Sequence, residues 1–270
     1  MNKFPDLKKQ IEEAQGRNKY SAGSSVEEPP ETIQGDYNGP SGAIINVLDP
    51  LTIAGEQVRL LRSKLNVMQK ERGTRTLLVT SSVQQEGKTF MVFGLAGVFA
   101  QEEGKRILVI DADMRKAGSG WDFGFRTKIT DPGLSQVLGG DVEFNNALLV
   151  SQNPELYFLP SGPLPSHPLE LLSSPKLEDI LKAAAEFFDW VIVDSPPAVA
   201  LSDATLLSQL CDAALLIVRA NSTSSKLVTD TIGRIGRDKI CGIVINRQKQ
   251  IRSSRHYYEY YDRSSKRRKA

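Results

Sequence analysis

Six short runs of the chain are apolar almost throughout: TLLVTS, RILVID, LYFLPS, WVIVDS, AALLIVRA and CGIVINR. Runs of this length, rich in branched side chains and without strict alternation, predict strands buried on both faces. Between most of them lie helical stretches: KTFMVFGLAGVFAQEE, HPLELLSSPKLEDILKAAAEFF, DATLLSQLC and SKLVTDTIGRIG. A further helix is predicted ahead of the first strand, in AGEQVRLLRSKLNVMQKE, where Val58, Leu61, Leu65 and Met68 form one stripe. Strands alternating with helices predict an α/β fold, a doubly wound, mostly parallel sheet with helices on both faces. Ligands of such sheets bind beyond the carboxyl ends of the strands, so chemistry is expected there.

The two ends of the chain lack this rhythm. From about Ala22 to Gly42 the composition turns to Ser, Glu, Pro and Gly, although DLKKQIEEA has the makings of a short helix. Residues 1–43 are therefore read as a flexible segment, 44–250 as the folded domain and 251–270 as a second flexible tail. That tail, RHYYEYYDRSSKRRKA, holds Tyr257, Tyr258, Tyr260 and Tyr261 and leaves only Tyr20, Tyr37 and Tyr157 for the rest of the protein. Charged neighbours and a closing Lys-Arg run give these tyrosines no core to enter. Their exposure needs a reason.

Composition narrows the choice. A formal charge of +2 excludes a general affinity for nucleic acid, since basic charge is concentrated at Lys266, Arg267, Arg268 and Lys269. Cys211 and Cys241 lie in apolar runs without metal-binding spacing and read as small core residues of a reduced cytoplasm. The charged N-terminus is no signal peptide, and FMVFGLAGVFA is too short to span a bilayer. The protein is expected to be cytoplasmic, with any membrane role reached through a partner.

The first strand runs directly into SSVQQEGKTF and then a helix. Strand, tight turn and helix N-terminus around Gly87-Lys88-Thr89 are the context of a P-loop, in which backbone N–H groups and the helix dipole cradle phosphates. Ser82, Val83, Gln84, Gln85, Glu86, Gly87, Lys88, Thr89 and Phe90 are then the nucleotide-binding stretch. Lys88 would neutralise the β- and γ-oxygens of ATP, and the Thr89 hydroxyl would hold Mg²⁺. Asp111 and Asp113 end one later strand and Asp194 another. Three carboxylates beside a phosphate loop suit Mg²⁺ ligation and proton acceptance.

With these motifs in place the sequence resembles the bacterial tyrosine kinases that govern capsule and exopolysaccharide export. The matching stretches are GEQVRLLRSKL, SSVQQEGKT, ILVIDADMRK, GLSQVLGG, LPSGPLPSHPLELLSS, VIVDSPPAVALSDA, GIVIN and the tyrosine tail, from about Leu51 to the end. The resemblance implies a P-loop NTPase fold and transfer of the ATP γ-phosphoryl group to Tyr257, Tyr258, Tyr260 and Tyr261. The tyrosines of the tail are then substrate. Lys88 and Thr89 fall in the Walker A loop, Asp111 and Asp113 in the motif called A′, and Asp194 in Walker B. Asp111 is expected to take the phenolic proton, with Asp113 and Asp194 serving the metal shell. Asn246 falls where related proteins contact the base. Glu56, Arg59 and Arg62 reproduce the E-x-x-R-x-x-R motif of ring assembly, spaced to share one helix face. The implied partners are a membrane polysaccharide co-polymerase that activates the kinase, a phosphotyrosine phosphatase and further copies of the chain. The implied location is the inner face of the plasma membrane.

Two stretches depart from the family pattern: Gln84-Gln85 stands where members usually have Pro-Gly, and Ala117 where a Pro follows the basic pair of A′. Ser82 stands where the general pattern has Gly, a place at which the family often has Ser. A Gln forced to positive φ costs about 1 kcal/mol or more. Two other functions compete: a positioning ATPase of the deviant-Walker class, and a degenerate nucleotide-binding scaffold. The first needs a second lysine early in the loop, where Val83 stands. Asp122-Phe123-Gly124 imitates the magnesium motif of eukaryotic-type kinases but lacks the upstream His-Arg-Asp loop. His167 and His256 form no nucleophile–base arrangement.

Overall fold

Each of the six predicted strands forms, in the order of the chain: β1 (Thr76–Ser81), β2 (Ile107–Asp111), β4 (Leu156–Leu159), β5 (Trp190–Asp194), β6 (Ala213–Arg219) and β7 (Ile240–Asn246). A two-residue strand, β3 (Leu149–Val150), completes a seven-stranded sheet of order β3-β4-β2-β5-β1-β6-β7. All neighbouring strands are parallel except β3, which pairs antiparallel with β4. The structure is a computed structural model that describes residue 9 and residues 42–116, 125, 128, 130–151 and 156–248. Tyr257, Tyr258, Tyr260 and Tyr261, the Asp122-Phe123-Gly124 stretch and all of DLKKQIEEA but Lys9 lie outside the described residues.

Alternation along the buried strands divides the core into two layers. Leu77 and Val79 face α1 (Gly42–Leu48), α2 (Ile53–Arg72) and α3 (Lys88–Ala100), in one cluster with Ile44, Val58, Leu65, Phe93 and Phe99. Leu78 faces the other way, in a cluster reached by α4 (Leu134–Gly139), α5 (Phe144–Ala147), α6 (Pro168–Leu172), α7 (Pro175–Phe187), α8 (Asp203–Leu210) and α9 (Ser225–Ile235). The predicted stripe on α2 is confirmed: Val58 and Leu65 are buried, with Leu61 and Met68 packed beside them. The α3 sequence, KTFMVFGLAGVFA, is apolar all round because sheet and α2 cover both its sides.

Two local differences from the sequence pattern have physical causes. The stretch 167–188 divides into α6 and α7, because Pro175 has no N–H and holds Ser174 in extended backbone (φ −69°, ψ 142°). The short elements α1, α4, α5 and β3 carry too few residues for a period to register, and α1 begins at Gly42, two residues inside the segment read as flexible. The result that matters for function is the position of β1. Strands added before β5 lie on one side of it and those added after β5 on the other, so the loop leaving β1 sits where the winding reverses.

Candidate active site

The chain leaves β1 at Ser81 and enters α3 at Lys88 through a six-residue turn. Gly87, the residue before the helix, has φ 93°, and a Cβ there would collide with Asn246 Nδ2, so only glycine fits. Gln85 has φ 62°. The departure from the Pro-Gly pattern thus falls at a position that does require left-handed backbone, and the loop bears that strain. No side chain caps α3, and its first turn carries no acidic residue. Its N–H groups and the largely buried Lys88 ammonium form a positive, anion-accepting end.

Beneath this end the carboxylates are graded by burial. Asp194 is fully enclosed; its Oδ2 accepts the Thr89 hydroxyl at 2.6 Å, while Oδ1 is buried with no hydrogen-bond partner. Burial raises this carboxyl to about 6, against the pull of Lys88 and the Thr89 hydroxyl, with Asp113 adding to the rise. Asp111 lies opposite Asp194 in the β2–β5 register and is also buried. Its Oδ1 accepts the Asp113 N–H at 3.0 Å. Asp113 is half-buried, and desolvation lifts it above the usual carboxylate range despite the nearby Lys88.

Among the described residues, no three Asp, Glu, His or Cys side chains converge to hold a metal ion by themselves. The site suits a cation carried with its phosphates. Thr89 presents an oxygen, and the orphaned Asp194 Oδ1 offers a second acceptor behind it. Hard oxygen donors of this kind fit Mg²⁺.

Several functional contacts were not evident in the sequence. The Glu86 carboxylate is buried and accepts hydrogen bonds from Val83 N (2.8 Å), Arg219 N (3.0 Å) and the Thr223 hydroxyl. Asn246 Nδ2 donates to the Glu86 carbonyl at 2.8 Å, so the predicted base-contacting residue touches the phosphate loop itself. Thr231 donates to the Ser82 hydroxyl at 2.8 Å, bringing α9 against the same loop. Arg115, in the A′ stretch, makes a bidentate pair with buried Asp203 at 2.7 and 3.0 Å. Asp203 stands in the VIVDSPPAVALSDA stretch, which was a usable signal. The inward turn of Glu86 had none.

The predicted assembly motif is divided by its surroundings. Glu56 is exposed. Arg59 donates to the Leu48 carbonyl (2.7 Å) and to Gln101 Oε1 (2.6 Å), and Arg62 donates to the Val98 carbonyl (2.8 Å) and pairs with Glu102 (3.2 Å). Both arginines therefore brace α2 on the end of α3 within one chain.

Comparison with known proteins agrees with this geometry. The family described as "AAA domain" matches residues 82–237. The tyrosine-protein kinase YwqD of Bacillus subtilis is 31% identical over 220 residues, covering 81% of this chain and 90% of that protein. The chain belongs to the bacterial tyrosine-protein kinases. The tyrosine-protein kinase etk of Escherichia coli K12 is 32% identical over 200 residues, and the match takes in 27% of that longer protein. The solved kinase domain of Escherichia coli ETK superposes with a TM-score of 0.72 at 28% identity, over 88% of each chain. The P-loop fold expected of a tyrosine kinase of this family is thus the fold observed, and it is one that binds nucleotide. Among its described residues no helix is long and apolar enough to cross a membrane.

Proposed function

We propose that the protein is an ATP-dependent tyrosine autokinase that phosphorylates Tyr257, Tyr258, Tyr260 and Tyr261 of a neighbouring copy. The observation that carries this reading is the Thr89–Asp194 hydrogen bond directly below the Lys88 end of α3. It brings the Walker A and Walker B motifs together, as a shared phosphate and metal site requires. Phosphoryl transfer asks a protein for positioning and electrostatics more than for covalent chemistry, and this site supplies both. The loop N–H groups and Lys88 orient and neutralise the β- and γ-phosphates. Thr89 and Asp194 would hold Mg²⁺, which supplies further neutralisation of the phosphoryl oxygens when bound. The tyrosine oxygen attacks the γ-phosphorus, the bond to the β–γ bridging oxygen breaks and ADP departs. A phenol titrates near ~10, so its proton needs an acceptor as the new bond forms. Asp111 would take it, with the half-buried Asp113, whose N–H it accepts, serving the metal shell beside Asp194.

Copies would assemble through Glu56, Arg59 and Arg62, with the exposed Glu56 facing the neighbour and the two arginines fixing the angle of α2. Each phosphate adds about −1.5 to −2 charge to a tail that already holds Glu259 and Asp262, so repulsion expels the tail and loosens the assembly. A membrane polysaccharide co-polymerase would activate the kinase at the inner face of the plasma membrane, and a phosphotyrosine phosphatase would reset it. Control of exopolysaccharide or capsule export is the proposed output. The left-handed Gln85 supports a second reading, a nucleotide-binding scaffold of low turnover.

The test is phosphate mapping by mass spectrometry after incubation with Mg-ATP, with and without the cytoplasmic fragment of the activator. Labelled tail tyrosines that vanish in Lys88→Met support the kinase reading. Labelling of serine or threonine alone, or none under either condition, defeats it. ATP hydrolysis without labelling favours a positioning ATPase, and binding without turnover favours the scaffold.

A further inference from the structure

An acidic side chain in a triphosphate loop opposes the charge of its ligand, so Glu86 requires an explanation. The structure answers by turning it inward, with 1% of the residue exposed. Its hydrogen bonds run to strand ends and to the turns that follow them. Val83 belongs to the turn after β1, Arg219 closes β6, Thr223 lies in the connection to α9, and Asn246 closes β7. One residue therefore ties the exits of three parallel strands. Its neighbours on either side, Gln85 (φ 62°) and Gly87 (φ 93°), are both left-handed. A Gln in that region is held against its own preference, and the fixed carboxylate beside it supplies the restraint.

We propose that Glu86 is a positioning residue: its carboxylate latches residues 82–87 in the anion-accepting shape and couples that loop to the β6–α9 connection, which holds the Glu86 backbone carbonyl in place to accept Asn246 Nδ2. The purine end and the phosphate end of the site then move as one unit. This rests on the reading of the loop as the ATP site. The carboxylate is used as an acceptor of three donors, so an amide of equal size does not replace it. In Glu86→Gln, an NH₂ group faces at least one N–H or O–H that needs an acceptor.

The experiment measures ADP and ATP affinity by titration calorimetry in the full chain, for wild type, Glu86→Gln, Gln85→Gly and the double variant, with the melting temperature of each nucleotide-free protein. The latch predicts at least a tenfold loss of affinity in Glu86→Gln with a melting temperature within a few degrees of wild type. It also predicts partial recovery in the double variant, because glycine holds the left-handed turn without restraint. Wild-type affinity in Glu86→Gln overturns the proposal. So does a loss that glycine at 85 leaves unrelieved. Amide hydrogen exchange of residues 82–87 in the nucleotide-free proteins gives an independent reading. Faster exchange in Glu86→Gln supports the latch and unchanged exchange overturns it, even if the wild type proves to bind no nucleotide and the kinase reading fails.

Discussion

The two ends of the sheet use the same residue type in opposite ways. At the amino end, Asp212 accepts the N–H groups of Arg75 and Thr76 at 2.7 and 2.8 Å. Asp189 there accepts the Arg106 N–H at 3.0 Å and the Lys105 ammonium at 2.9 Å. Burial works to raise Asp189, but these partners outweigh it and hold the carboxyl below its usual range. At the carboxyl end, Asp194 is more deeply buried and has an oxygen without a partner, and desolvation pushes it up to about 6. One end spends its carboxylates on joining strands to helices. The other keeps a buried, incompletely satisfied carboxylate, a costly arrangement of the kind found where proteins hold ligands.

The contrast can be broken by substitution. Asp194→Asn is expected to reduce tail phosphorylation at least about 100-fold per folded molecule, measured by single-turnover labelling, because the Walker pair loses its charge. The nucleotide-free variant should be no less stable than wild type at neutral pH. Asp212→Ala should do the reverse. It strands two backbone N–H groups and costs about 2 kcal/mol in urea unfolding, with ADP affinity unchanged. If Asp212→Ala abolished binding while leaving stability intact, the division between the two ends would be wrong.

The pH dependence follows from the opposite shifts. Asp194 in the folded protein binds an extra proton between its ordinary 3.8 and about 6, so the stability it withholds at neutral pH returns as pH falls through that window. Any stability advantage of Asp194→Asn over wild type, read as a difference in melting temperature without metal, should shrink from pH 7 to pH 4. Asp189 has a depressed value, so its contribution is full above 3.8 and is lost only as pH falls through its lower folded value. Its variants should therefore lose their penalty only in stronger acid. The smallest effect is expected from Lys105→Met, below about 1 kcal/mol in urea unfolding, because the Lys105 side chain is 37% exposed and its ion pair is screened by solvent. A larger loss would mean that Lys105 sustains Asp189 more than the Arg106 N–H does.

Much of this could be read along the chain. Buried strands announce themselves by continuous apolar runs, and the loop by Gly87-Lys88-Thr89 between a strand and a helix. The Gln85 strain was legible as well, since glycine's usual place implies positive φ. The direction of Glu86 was not. Its donors come from residues 83, 219 and 223, and only β6 lying beside β1 brings them together. Arg59 and Arg62 share a helix face as their spacing requires, yet spacing says nothing of the C-terminal end of α3, where Gln101 and Val98 each accept a hydrogen bond from one of them.

By itself the sequence determined the order of the six long strands and of the main helices between them, the phosphate loop and the set of acidic strand ends, because these depend on local periodicity, turn chemistry and residue type. Only the tertiary structure decided which carboxylates are satisfied and which are not, since desolvation and hydrogen-bond partners are supplied by strands distant in the chain. Asp189 immediately precedes β5 and Asp194 is its last residue; the difference between them is the surroundings that the sheet brings to each of its ends.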